Sequence, residues 1–553
     1  MSGIDLHSLP TEIIERILGQ CDYIELIRLQ SVCHLWQDVI TTSPLLTYII
    51  ELGISGYSDE HLDPSCTRAE RRQLLAEAQR IWKRAASYKL IESHSFSQLS
   101  YWPVRHGVLL RMATIGRDGG AHSPDDTTLD VTIVDDAPGP PTRGWRVTLP
   151  VSESGILHID PAQDLVVVRA PRQDMSLQEA LLYFSCVPLS LRTGQAHPRA
   201  AARSLRFRLS ERVQSRPHYT RVQVHGPTLA ISMASGIQFF TEIVVFDWTT
   251  GEQIASFCSS TSASCIWGDP AVLILPTCFL LASYSRNDQT PIIEVHAVDR
   301  SLPRSATSEG DTRPTAHVAS FCLPRTRVGE VRMLMTPSSA QRVWAPGGRG
   351  HLETHPECRV LRVYLCSTAA QLQDAGFFVP LRPFLRALDA YSTHPPDERA
   401  AWETRTVASA NWMDGTRWLN GEPGSWMAEV RRNQNGTGSR YTFPKCIVDF
   451  SPVELEKEVH AHKKAEPDVV SFESEAAGYT TYCGTSELAF SGGADLFDDK
   501  FSFSLPYREK ILPQLPGYSP DSDIHLVGDK VISVEVCGGP MDEVKIYQIV
   551  TET

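Results

Sequence analysis

From about Tyr101 to its end, the chain is a succession of short β-branched and aromatic runs separated by Gly, Pro, Asp and Ser, with few long helical periods. Runs of this length and punctuation read as strands, and so many short strands need a closed or repeated all-β architecture to manage their edges. The expected strands are 129–135, 155–160, 164–170, 181–189, 221–226, 228–233, 243–248, 271–275, 291–298, 359–365, 446–450, 530–536 and 543–550.

Two of these segments echo each other. LLYFSCVPLSLRTGQAHP and FTEIVVFDWTTGEQIASF each run from an apolar strand through a polar Thr-Gly turn into a second strand, with Gly194 and Gly251 57 residues apart. The second resembles the strand–turn–strand of a WD-like propeller blade, although no Gly-His…Trp-Asp signature is present. At this period the region has room for seven blades with insertions, or six with longer ones. Two packed β-domains are the alternative. The fold class expected is therefore α+β multidomain: a three-helix N-terminal module and a linker helix, then a large all-β domain read as a β-propeller.

Pro/Gly/Ser-rich stretches at 135–144 and 301–320 read as loops, and 451–500 as a charged insertion, partly helical or mobile. Trp402, Trp412, Trp418 and Trp426 crowd one segment, which implies blade core or a binding rim.

The first 55 residues have a different texture. Pro10 suits a first helical turn, and Ile13, Ile14, Ile17 and Leu18 follow on one face. Asp22 and Glu25 have capping-box spacing before a stripe of Leu26, Leu29, Cys33, Trp36 and Ile40, widened by Val32 and Val39. Ser43-Pro44 opens a third helix, 45–52, which Gly53 closes. Three helices in some fifty residues bury too little surface to be robust alone, so the module is expected to have a partner.

The run LPTEIIERILGQCDYIELIRLQSVCHLWQDVITTSPLL resembles an F-box through Leu9, Pro10, Glu12, Ile17, Leu18, Leu26, Leu29, Val32, Cys33 and Trp36. It departs at Cys21, where the family often has Leu, and at Tyr23, where Pro is common. The resemblance implies docking onto a Skp-type adaptor and, through it, a cullin ubiquitin ligase, by packing of helices into an apolar groove. The implied adaptor-binding residues are Leu9, Pro10, Ile13, Ile14, Ile17, Leu18, Leu26, Leu29, Val32, Cys33 and Trp36. Some of them must hold the helices together instead, and sequence does not sort Ile13, Ile17, Val32 and Trp36 between core and interface. Segments of 402–452 (NWMDGTRW, GSRYTFPK, IVDFSP) and Leu505 to Arg508 resemble those of an expanded group of F-box proteins from mushroom-forming (basidiomycete) fungi, whose substrates are generally unassigned.

A linker, 56–98, follows, with an amphipathic helix expected over 66–90. Thr67 and Glu70 form a second capping box, and Leu74, Ala78, Ile81, Ala85 and Tyr88 make its stripe. This stretch carries a net charge of +5, against −5 for residues 1–55. A basic helix can contact RNA or a membrane, but a spacer packed on one side is the simpler reading. The opposite charges suggest attraction, within one chain or between two. The β domain is placed at 99–553.

A net charge of −13 over 553 residues argues against a general nucleic-acid binder. Thirteen cysteines with no CxxC suit neither a zinc site nor a disulfide framework, and read as reduced, mostly buried thiols. The N-terminus lacks a signal-peptide pattern, and the most apolar stretch, 271–282, is interrupted by Pro276, so no membrane segment is expected. A cytoplasmic and/or nuclear location follows from these readings.

His351 and His355 are spaced as in HExxH, but the catalytic Glu is absent and Pro356 follows. His460 and His462 lack a third ligand in sequence, Cys258 and Cys265 flank a turn, and GGRGH (347–351) reads as a turn. With no GxSxG, Walker or dinucleotide motif, no catalytic residue, metal ligand or cofactor is assigned. The expected role is the substrate-recognition subunit of a Skp–cullin–F-box ligase. The β domain would bind a protein target, through residues left unassigned. The alternatives are an F-box scaffold outside the ligase and a propeller enzyme with an F-box handle.

Overall fold

The computed structural model describes residues 9–83, 85–96, 155–170, 182–210, 219–235, 240–259, 271–284, 290–299, 315–323, 349–367, 375–399 and the further strands named below. The N-terminal module has four helices: α1 (Thr11–Leu18), α2 (Tyr23–Leu29), α3 (His34–Thr42) and α4 (Pro44–Ile54). The expected second helix is therefore two. The chain leaves helical geometry at Gln30 to Cys33, where the Ser31 hydroxyl donates to the Arg28 carbonyl and Cys33 is the extended N-cap of α3. The 26–40 stripe is broken there, and Val32 projects into solvent.

Helix α5 (Arg68–Lys83) follows, shorter than the 66–90 expected. Residues Ala85–Phe96 form a strand that pairs with the last strand, Asp542–Thr551, from Ala85 opposite Thr551 to Phe96 opposite Asp542. The helical stripe extended through Ala85 and Tyr88 was thus misread. The 3.6-residue spacing is present in the sequence, but pairing with residues 446 to 466 positions further along the chain wins. The β region accordingly begins near Ala85, within the linker expected at 56–98.

The β region is a series of antiparallel sheets laid down almost strictly in chain order. The first holds strands 104–105, 108–113, 127–134 and 142–149; the second 156–160, 165–169, 183–190 and 205–208; the third 219–225, 228–235, 240–247 and 252–259. The fourth holds 271–275, 278–284, 291–298 and 315–322, with 405–407 added in parallel. The fifth holds 331–337, 360–367, 375–380 and 417–419; the sixth 429–430, 445–449, 507–511, 479–482 and 471–474. The seventh draws on both ends of the β region: 523–527, 530–535 and 542–551 take 85–96 as their fourth strand.

Each strand expected from sequence lies in one of these sheets, with ends shifted by a few residues. The reading of 301–320 as a loop is corrected, because Thr315–Cys322 is the fourth strand of the fourth sheet. A helix at Arg382–Ser392 was also unforeseen; its Phe384, Leu388 and Tyr391 are buried against the fourth and fifth sheets. Most of 451–500, three of the four clustered Trp, His460, His462 and Cys265 lie outside the described residues. Cys258 is exposed rather than buried.

Side-chain alternation explains why the central strands read as unbroken apolar runs. In the second sheet Leu165 and Val167 face the third sheet's Leu229 and Ile231, while Val166 and Val168 face the first sheet's Leu129 and Val131. The pattern repeats onward: Phe279 and Leu281 pack towards the third sheet, Cys278 and Leu280 towards the fifth. A strand covered on both faces has no polar side to alternate. The first strands of the second to fifth sheets also touch in succession, so these sheets stack face to face with one edge gathered together. The echo around Gly194 and Gly251 is one turn used twice. In each, the Gly N–H donates to the carbonyl four residues back, Ser190 or Asp247, with φ of 68° and 80°.

Candidate functional site

The N-terminal module closes its own core. Ile14, Leu18, Leu26, Val39, Ile40 and Leu46 are buried together, with Leu9, Cys21, Leu29, Leu35 and Trp36 packed partly against them. Ile14, Leu18 and Leu26, expected among the docking residues, lie enclosed in this core. Cys21 and Tyr23, the two departures from the family pattern, both have structural roles. Cys21 completes the core, and the Tyr23 ring lies where a Cβ on Gly53 would be. Gly53 does not end the third expected helix: α4 runs on to Ile54, and the glycine lets α2 approach it.

Several apolar side chains remain outside that core. Ile13 and Ile17 are 44% and 47% exposed, one turn apart on α1, and Val32 is 66% exposed in the turn between α2 and α3. Pro10 is exposed at the start of α1; Leu9, Leu29, Cys33 and Trp36 are half-buried. Side chains that a folded module leaves in water at such positions are what a partner groove would cover.

The capping boxes form as spaced. Asp22 Oδ1 accepts from Glu25 N at 2.7 Å, and the Thr67 N–H donates to Glu70 Oε2 at 2.8 Å. The acidic module and the basic helix do meet within one chain, through Arg72 on α5 and Glu51 on α4, with Nε 2.9 Å from Oε2. Arg71 Nη1 donates to Asp59 at 2.7 Å, and Asp59 also accepts from the Tyr48 hydroxyl at 3.0 Å.

The module is also tied to the β region. Tyr57–Ser58 pairs with His351–Thr354, a strand inserted between the first two strands of the fifth sheet, and Arg342–Trp344 completes this small sheet. Leu352 is buried with Tyr48 of α4, Tyr57, Leu62 and Leu75 of α5. Arg349 Nη2 donates to Glu70 Oε1 at 2.8 Å. That bond, then the cap on Thr67, holds the Glu70 carboxyl down to about 2. Arg349, Gly350 and His351, the described part of GGRGH, thus belong to a joint: Gly350 bridges Leu62 with φ of 90°, and a Cβ there would strike the His61 carbonyl.

Two clusters of ligand-type side chains occur among the described residues. At the joint the His61 and His351 rings stack at 5.0 Å, and His61 Nε2 lies 3.0 Å from Glu353 Oε2. Arg359 Nη2 is 3.5 Å from the same oxygen, so that carboxylate already has a cation. His355 caps the short turn that follows and belongs to neither cluster. The other cluster, Glu294, His296 and His317, lies in the fourth sheet. Sequence reasoning found neither, because each joins two residues of one strand to a third that only the tertiary fold brings alongside.

Residues 6–48 match the F-box domain family; the chain carries an F-box and is an F-box protein. No curated protein matches the sequence. Among solved structures it is similar to the crystal structure of the WD40 domain of SCAP from fission yeast. The identity is 9%, over 84% of this chain and 97% of that chain, with a TM-score of 0.25.

Proposed function

Taking the F-box at residues 6–48 as premise, we propose that this chain is the substrate-recognition subunit of a Skp–cullin–F-box ubiquitin ligase, acting in the cytoplasm or nucleus. The observation that carries the reading is the pair Ile13 and Ile17, left in water by a module whose own core is complete. With Val32, Pro10 and the half-buried Leu9, they form the surface assigned to the adaptor. Cullin is reached through that adaptor.

We read the β region as a seven-bladed propeller. Support comes from the meandering sheets in chain order, the contact between successive first strands, and the sharing of the last sheet by both ends of the region. A blade completed by strands from both ends ties a ring shut, and such a ring is a rigid platform for a target protein. Catalysis belongs to other subunits; this chain raises the target's effective concentration beside them. That task needs fixed geometry, and the joint of Tyr57–Ser58, Glu70, Arg349 and Leu352 supplies it.

The test is co-expression with the host's Skp-type adaptor, comparing the natural chain with Ile13→Asp/Ile17→Asp. A stable complex that the double variant loses while still folded, and that captures cullin, supports the proposal. A folded natural chain that forms no adaptor complex overturns it. An adaptor complex without cullin moves the chain to a scaffold role outside the ligase.

A further inference from the structure

One face of the fourth sheet carries a polar island inside an apolar interface. Around it, Phe279, Leu281, Leu273 and Val298 pack against Ala230, Ile243 and Val245 of the third sheet. Within it lie Ser283, Glu294, His296, His317 and Ser320. Glu294 and His296 share a face by strand alternation, with Ser320 opposite the first and His317 opposite the second. His317 and Ser320 are three residues apart, so in a regular strand they would point to opposite sides. A β-bulge resolves this: Val295 pairs with Ala319 and His296 with His317, leaving Val318 as the extra residue. Val318 turns into the core shared with the fifth sheet, and His317 is brought round to Glu294 and His296. Re-aiming one side chain is what such bulges do.

We propose that Glu294, His296 and His317 bind one divalent transition-metal ion of the zinc type, through one nitrogen from each ring and a carboxylate oxygen. Their ligand atoms lie within 4.8 Å of one another, and two imidazoles with one carboxylate form a donor set that zinc takes. The carboxylate is steadied from behind, its Oε1 accepting from the Ser283 hydroxyl at 2.6 Å. Ser320 Oγ lies 3.0 Å from His317 Nε2 and orients that ring. Outer hydrogen bonds of this kind hold metal ligands in place.

His296 is 2% exposed, stacked on Phe279 at 5.1 Å and on His317 at 4.9 Å, with Phe257 of the third sheet 4.5 Å away. Its Nε2 is 2.9 Å from Glu294 Oε2, while its Nδ1 has no hydrogen-bond partner among the described residues. A buried ring nitrogen left unpaired is costly, and coordination of a metal ion would satisfy it. Glu294 has no lysine or arginine partner among the described residues, unlike Glu353, whose Arg359 already compensates it. Burial under Phe257 makes the ion a structural one, fixing the bulged strand 315–322 to its neighbour.

The experiment uses the full chain, stripped with chelator and dialysed against zinc or cobalt(II), with bound metal measured by atomic emission. We expect one ion per chain, a visible cobalt spectrum of nitrogen–oxygen coordination, and a rise in melting temperature on adding zinc. Affinity should fall at least tenfold in His296→Gln and in His317→Asn, and remain unchanged in His61→Ala/His351→Ala. Should the sheet variants fail to fold, the natural chain still decides: no stoichiometric metal and no melting shift overturns the proposal. Loss of binding in the joint variant alone also overturns it, by assigning the ion to the other cluster.

Discussion

Arg349 and Glu70 are 279 residues apart in the chain, yet Nη2 of the one donates to Oε1 of the other at 2.8 Å. The bond joins the residue two before the strand 351–354 to the first turn of α5, where the same carboxylate caps the helix through Thr67. The F-box module is thus fixed to the β region by a helix cap, a two-residue strand and a glycine.

Gly350 is the vulnerable point of that joint. Its left-handed backbone alone costs a non-glycine residue about 1–2 kcal/mol, and the His61 carbonyl occupies the space of a Cβ. Gly350→Ala should lower stability by at least that amount and make the segment 56–66 the first site of limited proteolysis. Unchanged melting and cleavage would show that the joint carries no load.

Core and docking residues of the F-box should separate cleanly. Leu18→Ala should cost about 2–5 kcal/mol, as buried leucine truncations do, and weaken adaptor binding only through unfolding. Ile17→Asp should leave the melting temperature within a degree or two and cost about 2 kcal/mol or more of adaptor affinity. Calorimetric binding and thermal unfolding on the same samples would distinguish them; a stable, adaptor-competent Ile17→Asp would remove Ile17 from the interface.

Acidification should loosen the joint through His355. His355 is exposed, yet partial desolvation of its ring pushes its pKa below the usual histidine value, and the backbone N–H of Glu357 donates to its Nδ1 at 3.3 Å, which favours the neutral ring. The unfolded chain takes up a proton near pH 6.5, whereas the folded chain resists until lower pH. The stability this group contributes is therefore full above about pH 6.5 and declines as pH falls from there towards its folded value. Melting temperature against pH should slope less steeply in His355→Asn over that window; parallel curves would show that His355 does not titrate in folding.

Removing residues 542–553 should cost far more than trimming a terminus ordinarily does. The strand lost is the neighbour of both Ala85–Phe96 and Lys530–Glu535, so two edges open at once. We expect aggregation or loss of the cooperative transition, measured by scattering and calorimetry. A truncated chain that melts like the natural one would contradict closure through this sheet.

The sequence by itself determined the F-box, because its helices rest on local rules: a capping box at Asp22, Pro44 after Ser43, and apolar spacing along single turns. It also determined the strands buried on both faces, such as 164–170 and 243–248, whose unbroken apolar runs need no knowledge of their neighbours. Only the tertiary structure decided which apolar residues of the module stay outside, since Ile13 and Ile14 are chemically alike and differ only in which way the helix turns them. It alone decided that 85–96 is a strand, because the hydrogen bonds that hold it come from the far end of the chain. The same holds for Glu294, His296 and His317: strand pairing and one bulged residue, Val318, bring them together, and neither is a property of any short stretch of sequence.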